Sequence, residues 1–554
     1  MELPQPSQYN FSSLLNNIEN GQIKIPQFQR EFVWDIKKSA HLIDSLIKGY
    51  PIGTFIFWRT KEKLRTIRNI GDKTFPNPDK ADFVNYILDG QQRLTTLYAS
   101  LNGLIIKKEN GSNLDYSEIY IDLNAEENDQ IAITDIQNKS QKTFIKVTDL
   151  LKGDFTLLGG YPSEYHDKLK KYKTRIESYI YSVIEIKEAP IDIATEIFTR
   201  INVSGKPLTL FEVMTAKTYD KEKGFDLSEK FNDLIENLKT VKYETISDAN
   251  ILHLVSLMLK KECKRKIILS LTREEFINIW IYAVDAIERS VDYFRGFFRI
   301  PVSQLLPYNA LIVPFAYFFY RHKDRPTDQK QKYLEDFFWR CSLSNRYSSS
   351  VESKLAQDIK RIEAILRDEL PKYDWPIDFS QEFIAANGGF IASRSYIKAI
   401  LCIYAYHQPK SFDDNSIVHI NNEWLKQANS KNYHHFFPKS YLKKKGESSE
   451  NINHILNITM VDEFLNKRKI KAKPPSDYIG EFKKTNQRLE DAMRTHLIDD
   501  LEAFGIWENN YSKFFNKRAK AVSDFLTNRI ISQDIDKQEK QRKIIDDIEE
   551  TEFE

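Results

Sequence analysis

Two adjacent histidines, His434 and His435, sit in the apolar segment Tyr433-His434-His435-Phe436-Phe437-Pro438, and Asn457 and Asn466 follow at loop-and-helix spacing. Such a set suits phosphodiester hydrolysis. One imidazole can hold a divalent cation while its neighbour activates a water. An imidazole whose pKa is near the ordinary value of about 6.5 is largely neutral at cytoplasmic pH, as a base must be. Residues 431–480 hold ten Lys or Arg against five Asp or Glu. Lys439 and Lys443 follow the histidine pair, and Lys467 and Lys469 follow Asn466. A local cationic surplus attracts a nucleic-acid backbone without reading its sequence.

A second constellation lies early in the chain. Ile87-Leu88-Asp89-Gly90-Gln91-Gln92-Arg93 reads as strand, tight turn, then helix. That geometry leaves free backbone N–H groups and the positive end of a helix facing the turn. Gly90 admits close approach, Asp89 can hold a metal or a ribose hydroxyl, and Arg93 can grip a phosphate in two-point fashion. Two more segments carry similar chemistry. Ile25 to Trp34 sets Gln29 and Arg30 among aromatics that include Trp34, a composition able to line a pocket for a base or phosphate. Ile197 to Thr209 carries Arg200, Asn202 and Lys206 at a helix end and Ser-Gly-Lys loop.

These residues need elements to position them. Ser12 and Ser13 are expected to cap a first helix, and Asp35 to cap a second, ended by Gly49. Thr54 to Trp58 and Val84 to Leu88 read as strands, with a helix from about Gln92 to Asn102. Thr209-x-x-Glu212 is a capping box. Ile119 to Leu123 and Tyr179 to Ile186 are read as strands extending this sheet. Beyond Asp192 helical periodicity dominates: the helix over 274–294 is read with a stripe of Ile277, Trp280, Ile281, Val284 and Ile287. Phe337, Phe338 and Trp339 read as core, whereas Arg340, Arg346 and Tyr347 are left between a structural and a DNA-facing role.

Bulk properties bound the answer. At 554 residues the chain should divide into about three domains. A net charge of +2 means that any nucleic-acid surface is a local patch. Cys263, Cys341 and Cys402 are far apart, which argues against disulfides and a cysteine zinc site. Met1 to Asn10 reads as no signal peptide, and Leu305 to Tyr320 as a buried helix rather than a membrane span. The reading is cytoplasmic.

Ile25 to Arg30, Asp89 to Arg93 and Phe198 to Leu208 together resemble the I-P-x-F-Q-R, D-G-Q-Q-R and F-x-R-I-N-x-x-G-x-P-L signatures of the GmrSD-type restriction endonucleases, in that order. The resemblance implies a ParB-like N-terminal domain that responds to nucleotide and senses modified DNA. It makes Asp89, Gly90, Gln91, Gln92 and Arg93 nucleotide contacts, Arg200, Asn202 and Lys206 further ones, and Gln29, Arg30 and Trp34 the DNA-sensing group. The later segment resembles the HNH (ββα-metal) domain paired with this sensor: His434-His435-Phe436-Phe437-Pro438, with Phe436 where Ile is usual, then Asn457-Ile458-Thr459, then Asn466 with Pro474 to Tyr478. On that resemblance His434 and Asn466 hold the metal, Mg²⁺ or Mn²⁺. His435 is the general base, Asn457 orients it, and Lys439, Lys443, Lys467 and Lys469 meet the DNA backbone.

The expected architecture is α+β: a ParB-like mixed α/β domain over 1–220, a helical domain over 221–410, an HNH nuclease with flanking helices over 411–535, and a charged tail over 536–554. The expected activity is metal-dependent nicking of double-stranded, modified DNA, carrying glucosylated hydroxymethylcytosine or phosphorothioate. It is regulated by a nucleoside triphosphate, with GTP the first choice and hydrolysis expected. The second cut would come from a second site, a homodimer or a nearby second nick, and no membrane partner is expected. Two rival readings stand beside it: an NTP-driven DNA-binding switch or partner subunit with a vestigial nuclease, and an RNA-directed HNH nuclease.

Overall fold

Among the described residues, six strands build the main sheet of the N-terminal unit, and their order explains where its signature turn lies. The computed structural model describes residues 3–26, 34–62, 64, 66–67, 69–70, 73–76, 83–107, 113–126, 128–137, 139–201, 209–220, 222–422, 433–461, 470 and 472–538. The chain divides into two compact units, Met1–Leu227 and Ser228–Glu554, and its class is α+β.

In the first unit β1 (Gln5–Asn10) leads into α1 (Phe11–Glu19), β2 (Ile23–Pro26), α2 (Ile36–Lys48), β3 (Phe55–Thr60), β4 (Thr66–Ile67), β5 (Val84–Asp89), α3 (Gln91–Asn102), β6 (Ile180–Lys187), α4 (Ile191–Ile201) and α5 (Leu210–Thr218). The strand order is β1-β6-β3-β5-β2-β4. β2 and β5 run parallel, with Ile23 opposite Asn85, so both carboxyl ends reach the same edge of the sheet. Phe55, Phe57 and Ile87 point to one face and pack with Ile43, Leu46, Ile47, Leu94 and Leu97 of α2 and α3. Trp58 and Tyr86 point to the other, as strand alternation requires, and Trp58 Nε1 donates to Ala189 O at 2.9 Å. There α4 lies against β5.

Several local readings hold. Asp35 accepts from Lys38 N at 2.7 Å, Gly49 closes α2 in the left-handed conformation, and Thr209 and Glu212 form both arms of the capping box. Others change. The first helix is capped by Asn10, whose Oδ1 accepts from Ser13 N, so the cap sits earlier than Ser12 or Ser13. Tyr120–Asp122 does not extend the main sheet; it centres a separate three-stranded one with Ala132–Ile133 and Phe144–Lys146.

The second unit is mostly helical. It includes α6 (Arg273–Gly296), α7 (Ile312–Arg321), α8 (Asp328–Ser342), α9 (Val351–Leu366), α10 (Gln381–Asn387) and α11 (Ser395–Tyr406), then a hairpin of β7 (Tyr433–His435) and β8 (Ile458–Met460), then α12 (Pro475–Thr485) and α13 (Tyr511–Thr527). In α6 the buried face runs through Phe276, Ile279, Trp280, Ala283, Ala286, Ile287 and Ser290, leaving Ile281 exposed. The stripe is turned about one residue from the expected one because α7 supplies the aromatics Phe315 and Phe319 that this face meets.

Phe337, Phe338 and Trp339 are buried. So are Arg340, Arg346 and Tyr347, which rules out a DNA-facing role for them. Arg340 pairs with Asp336 and Asp536, and Arg346 and Tyr347 both bond Asp358. No helix among the described residues is long and apolar enough to cross a membrane. All three cysteines are buried and free.

Candidate active site and signature turn

The hairpin sets the geometry of the later constellation. β7 and β8 pair antiparallel, with His434 opposite Thr459 and His435 opposite Ile458. Directly opposed residues share a face, and neighbours along a strand do not. His434 and His435 therefore leave β7 on opposite sides.

His434 is 2 % exposed and lies edge-on to Phe412, Phe436 and Tyr478. Its Nδ1 is 3.1 Å from Thr459 Oγ1, and that hydroxyl in turn donates to His434 O at 3.4 Å. With its hydrogen directed there, Thr459 accepts from Nδ1–H, so the lone pair of His434 resides on Nε2. That nitrogen is buried and has no partner among the described residues. Burial pushes the imidazole down to about 3, helped by His435 and His496.

His435 is half-buried, and its Nε2 meets Asn453 Oδ1 at 3.0 Å. Burial first, then the neighbouring Lys439 ammonium, pushes it down to about 4, against the Asn453 bond. Both imidazoles are neutral at pH 7, the state that a metal ligand and a proton acceptor need.

Asn457 is fully buried and its side chain does not reach the His435 ring. Its Nδ2 donates to Phe437 O and Ile452 O, and its Oδ1 accepts from Phe437 N. Asn457 O accepts from Phe436 N at 2.8 Å. It thus clamps the turn that follows the histidines. Behind it, Arg518 of α13 is wholly buried and donates to Leu456 O and Ile458 O, the carbonyls on either side. Tyr478 donates to Phe436 O at 2.7 Å. Lys439 and Lys443 are exposed on the short helix that follows. Asn466, Lys467 and Lys469 lie outside the described residues. Among the described residues, no three His, Cys, Asp or Glu gather to hold a metal. Thr459 and Asn453 were missed in the sequence. Thr459 sits in the quoted central element, but nothing distinguishes Asn453 from the many other asparagines.

At the N-terminal turn the strand, turn and helix form as read. Gly90 caps α3 at φ +97, a conformation that L side chains rarely adopt. Gln91 and Gln92 are buried. Arg93 faces the protein: Nη1 donates to Ile52 O at 2.8 Å, and Nη2 to Thr54 O at 3.0 Å and to Asp89 Oδ2 at 2.9 Å. Its guanidinium also lies over Phe55.

Trp34 is partly buried against the core, with Lys38 over its ring. Arg200 is exposed and pairs with Glu196. Gln29, Arg30, Asn202 and Lys206 lie outside the described residues. Pro26, the last described residue of the first signature segment, ends β2 at the same end of the sheet where Asp89 ends β5.

Comparison with known proteins bears on the N-terminal unit. An uncharacterized protein of Methanocaldococcus jannaschii is 24 % identical, with the match covering 94 % of this chain and 98 % of the relative. Residues 11–219 match the family model described as the N-terminal domain of the GmrSD restriction endonuclease, and the N-terminal unit is thereby similar to that of a restriction-endonuclease family.

Proposed function

We propose that the chain is a cytoplasmic DNA endonuclease of the defence type, in which an N-terminal nucleotide-responsive unit senses modified DNA and the His434–His435 hairpin supplies the nicking centre. The division into sensor, helical and HNH parts with a charged tail belongs to the same reading. The observation that carries it is the state of His435. Nε2 is engaged by Asn453, while Nδ1 has no partner among the described residues and the ring is neutral. A neutral imidazole with one nitrogen held and the other free is arranged to take a proton from water.

His435 Nδ1 would receive that proton as the water oxygen attacks phosphorus and the 3′-oxygen departs. A divalent cation, Mg²⁺ or Mn²⁺, would supply stabilisation of the leaving oxygen and of charge developing on the phosphate. The chain's donors fit such an ion in one respect: the His434 Nε2 lone pair is buried and unpartnered among the described residues. Asn466 would be the second ligand. Lys439 and Lys443 would hold the backbone phosphates, joined by Lys467 and Lys469.

In the sensor, Gly90, Gln91 and Gln92 would offer backbone N–H groups to a nucleoside triphosphate, GTP first, with Asp89 and Arg93 shaping the turn. Arg200, Asn202 and Lys206 would add anion contacts. Gln29, Arg30 and Trp34 would meet the modified base or phosphorothioate.

A plasmid assay with Mg²⁺ tests this. Unmodified, phosphorothioated and glucosylated-hydroxymethylcytosine DNA are compared with and without GTP, beside His435→Ala. Nicking of one modified substrate that disappears in His435→Ala is expected. Full activity in His435→Ala overturns the assignment. One observation favours a vestigial nuclease in an NTP-driven switch instead: His434 is closed in by Phe412, Phe436 and Tyr478. No cleavage of any substrate, with nucleotide turnover intact, would establish that second reading.

A further inference from the structure

The residue that holds His435 is itself gripped by a strap from the helical part of the same unit. After α10 the chain runs Gly388-Gly389-Phe390 and pairs with residues 453–455. Ile455 N donates to Gly388 O at 2.7 Å, and Phe390 N donates to Asn453 O at 2.8 Å. The Asn453 side chain is held on the same residue: Nδ2 donates to Phe390 O at 3.0 Å. A carbonyl only accepts, so this bond fixes which end of the amide is nitrogen. Oδ1 must then face His435 Nε2, 3.0 Å away, and Nε2 must carry the hydrogen.

The strap cannot carry a side chain at its first residue without displacing a seated ring. A Cβ on Gly388 would sit 2.2 Å from His454 Cε1, and that ring is seated by Ala385 O at 3.1 Å and Leu456 N at 3.2 Å. Gly389 is different: a Cβ there would meet only Arg394 Nη1, at 3.9 Å. The ring of Phe390 also stacks edge-on against Tyr433, the residue before the histidine pair, with centroids 5.0 Å apart.

We propose that Asn453 is a positioning residue that, held by Phe390, locks His435 as the Nε2–H tautomer with Nδ1 free to accept a proton, and that the Gly388–Phe390 strap makes this lock depend on the helical part of the unit. The proposal deepens the nuclease reading and rests on it for its consequence in catalysis, though the lock itself is a property of the folded chain.

The test uses the full-length chain with ¹⁵N-labelled histidine. In the wild type, His435 should show two well-separated ring resonances, one protonated nitrogen and one bare. In Asn453→Ala they should move toward each other as the tautomers exchange. Gly388→Ala should do the same, and Gly389→Ala should match the wild type.

For the nicking reaction, Asn453→Ala should lower kcat about tenfold to a hundredfold with KM for DNA unchanged, the scale expected when a base is misplaced rather than removed. An unchanged His435 signature in a folded Asn453→Ala chain overturns the lock, as does an averaged signature in the wild type. A lock present in a wild type that cuts no DNA leaves this inference standing and removes the nuclease reading, so the two failures are distinct.

Discussion

The Asn457 amide closes on both ends of one residue, accepting from Phe437 N at 2.9 Å and donating to Phe437 O at 3.0 Å. This two-point clamp holds the turn immediately after His434 and His435, so Asn457 acts on the backbone that carries the histidines.

Asn457→Ala should therefore cost stability as well as activity. It leaves the buried Phe437 N–H without its acceptor, a loss of about 1–3 kcal/mol. A thermal midpoint a few degrees lower is expected. An unchanged midpoint with cleavage abolished would show that Asn457 acts at the chemistry instead of in the turn.

Arg93 gives a second separation of structural from ligand roles. Its bonds to Ile52 O, Thr54 O and Asp89 tie the loop before β3 to the signature turn. Arg93→Ala should lower thermal stability in the absence of any nucleotide, by about 1–3 kcal/mol for charge-assisted bonds of this kind. Wild-type stability combined with lost nucleotide affinity would make it a ligand contact.

The base of the C-terminal tail is predicted to be a structural member of the second unit. Asp536 accepts from Arg340 Nη1 at 3.0 Å and Nη2 at 2.6 Å, and also from Ile377 N. Arg340 is wholly buried. Asp536→Ala leaves that cation short of one carboxylate, and a loss on the order of 3 kcal/mol is expected in chemical unfolding. A loss below the error of that measurement would mean that Asp336 alone balances the charge.

Two buried histidines away from the hairpin predict acid sensitivity. Burial pushes His253 down to about 4, and burial with Arg529 and Arg299 pushes His407 down to about 4. Each folded value lies below the ordinary 6.5. Between those values the unfolded chain binds more protons, so stability is full above pH ~6.5 and falls as pH drops toward about 4, by up to about 1.4 kcal/mol per pH unit for each group. His407→Phe should flatten this slope when urea unfolding is compared at pH 7 and pH 5. An identical slope would mean that His407 is protonated in the folded state.

Features set by neighbours in the chain were legible in the sequence. The Asp35 cap, the Gly49 terminus, the Thr209–Glu212 box and the strand–turn–helix from Val84 to Asn102 depend on bonds within a few residues and on one turn glycine. The sequence could also single out the histidine pair as a candidate, on its resemblance to the opening of an HNH domain and on the basic residues around it.

What the sequence left open was every choice of distant partner. Tertiary packing decided which face of Arg273–Gly296 is buried and sent Tyr120–Asp122 to its own sheet. It also turned Arg93 onto the Ile52 and Thr54 carbonyls, placed Arg340 and Arg346 against buried carboxylates, and chose Asn453 to hold His435. The physical reason is common to all of these. A side chain's type states which bonds it can make, but a long-range hydrogen bond or buried contact depends on which backbone the fold brings within about 3 Å of it, and that is a property of the whole packed chain.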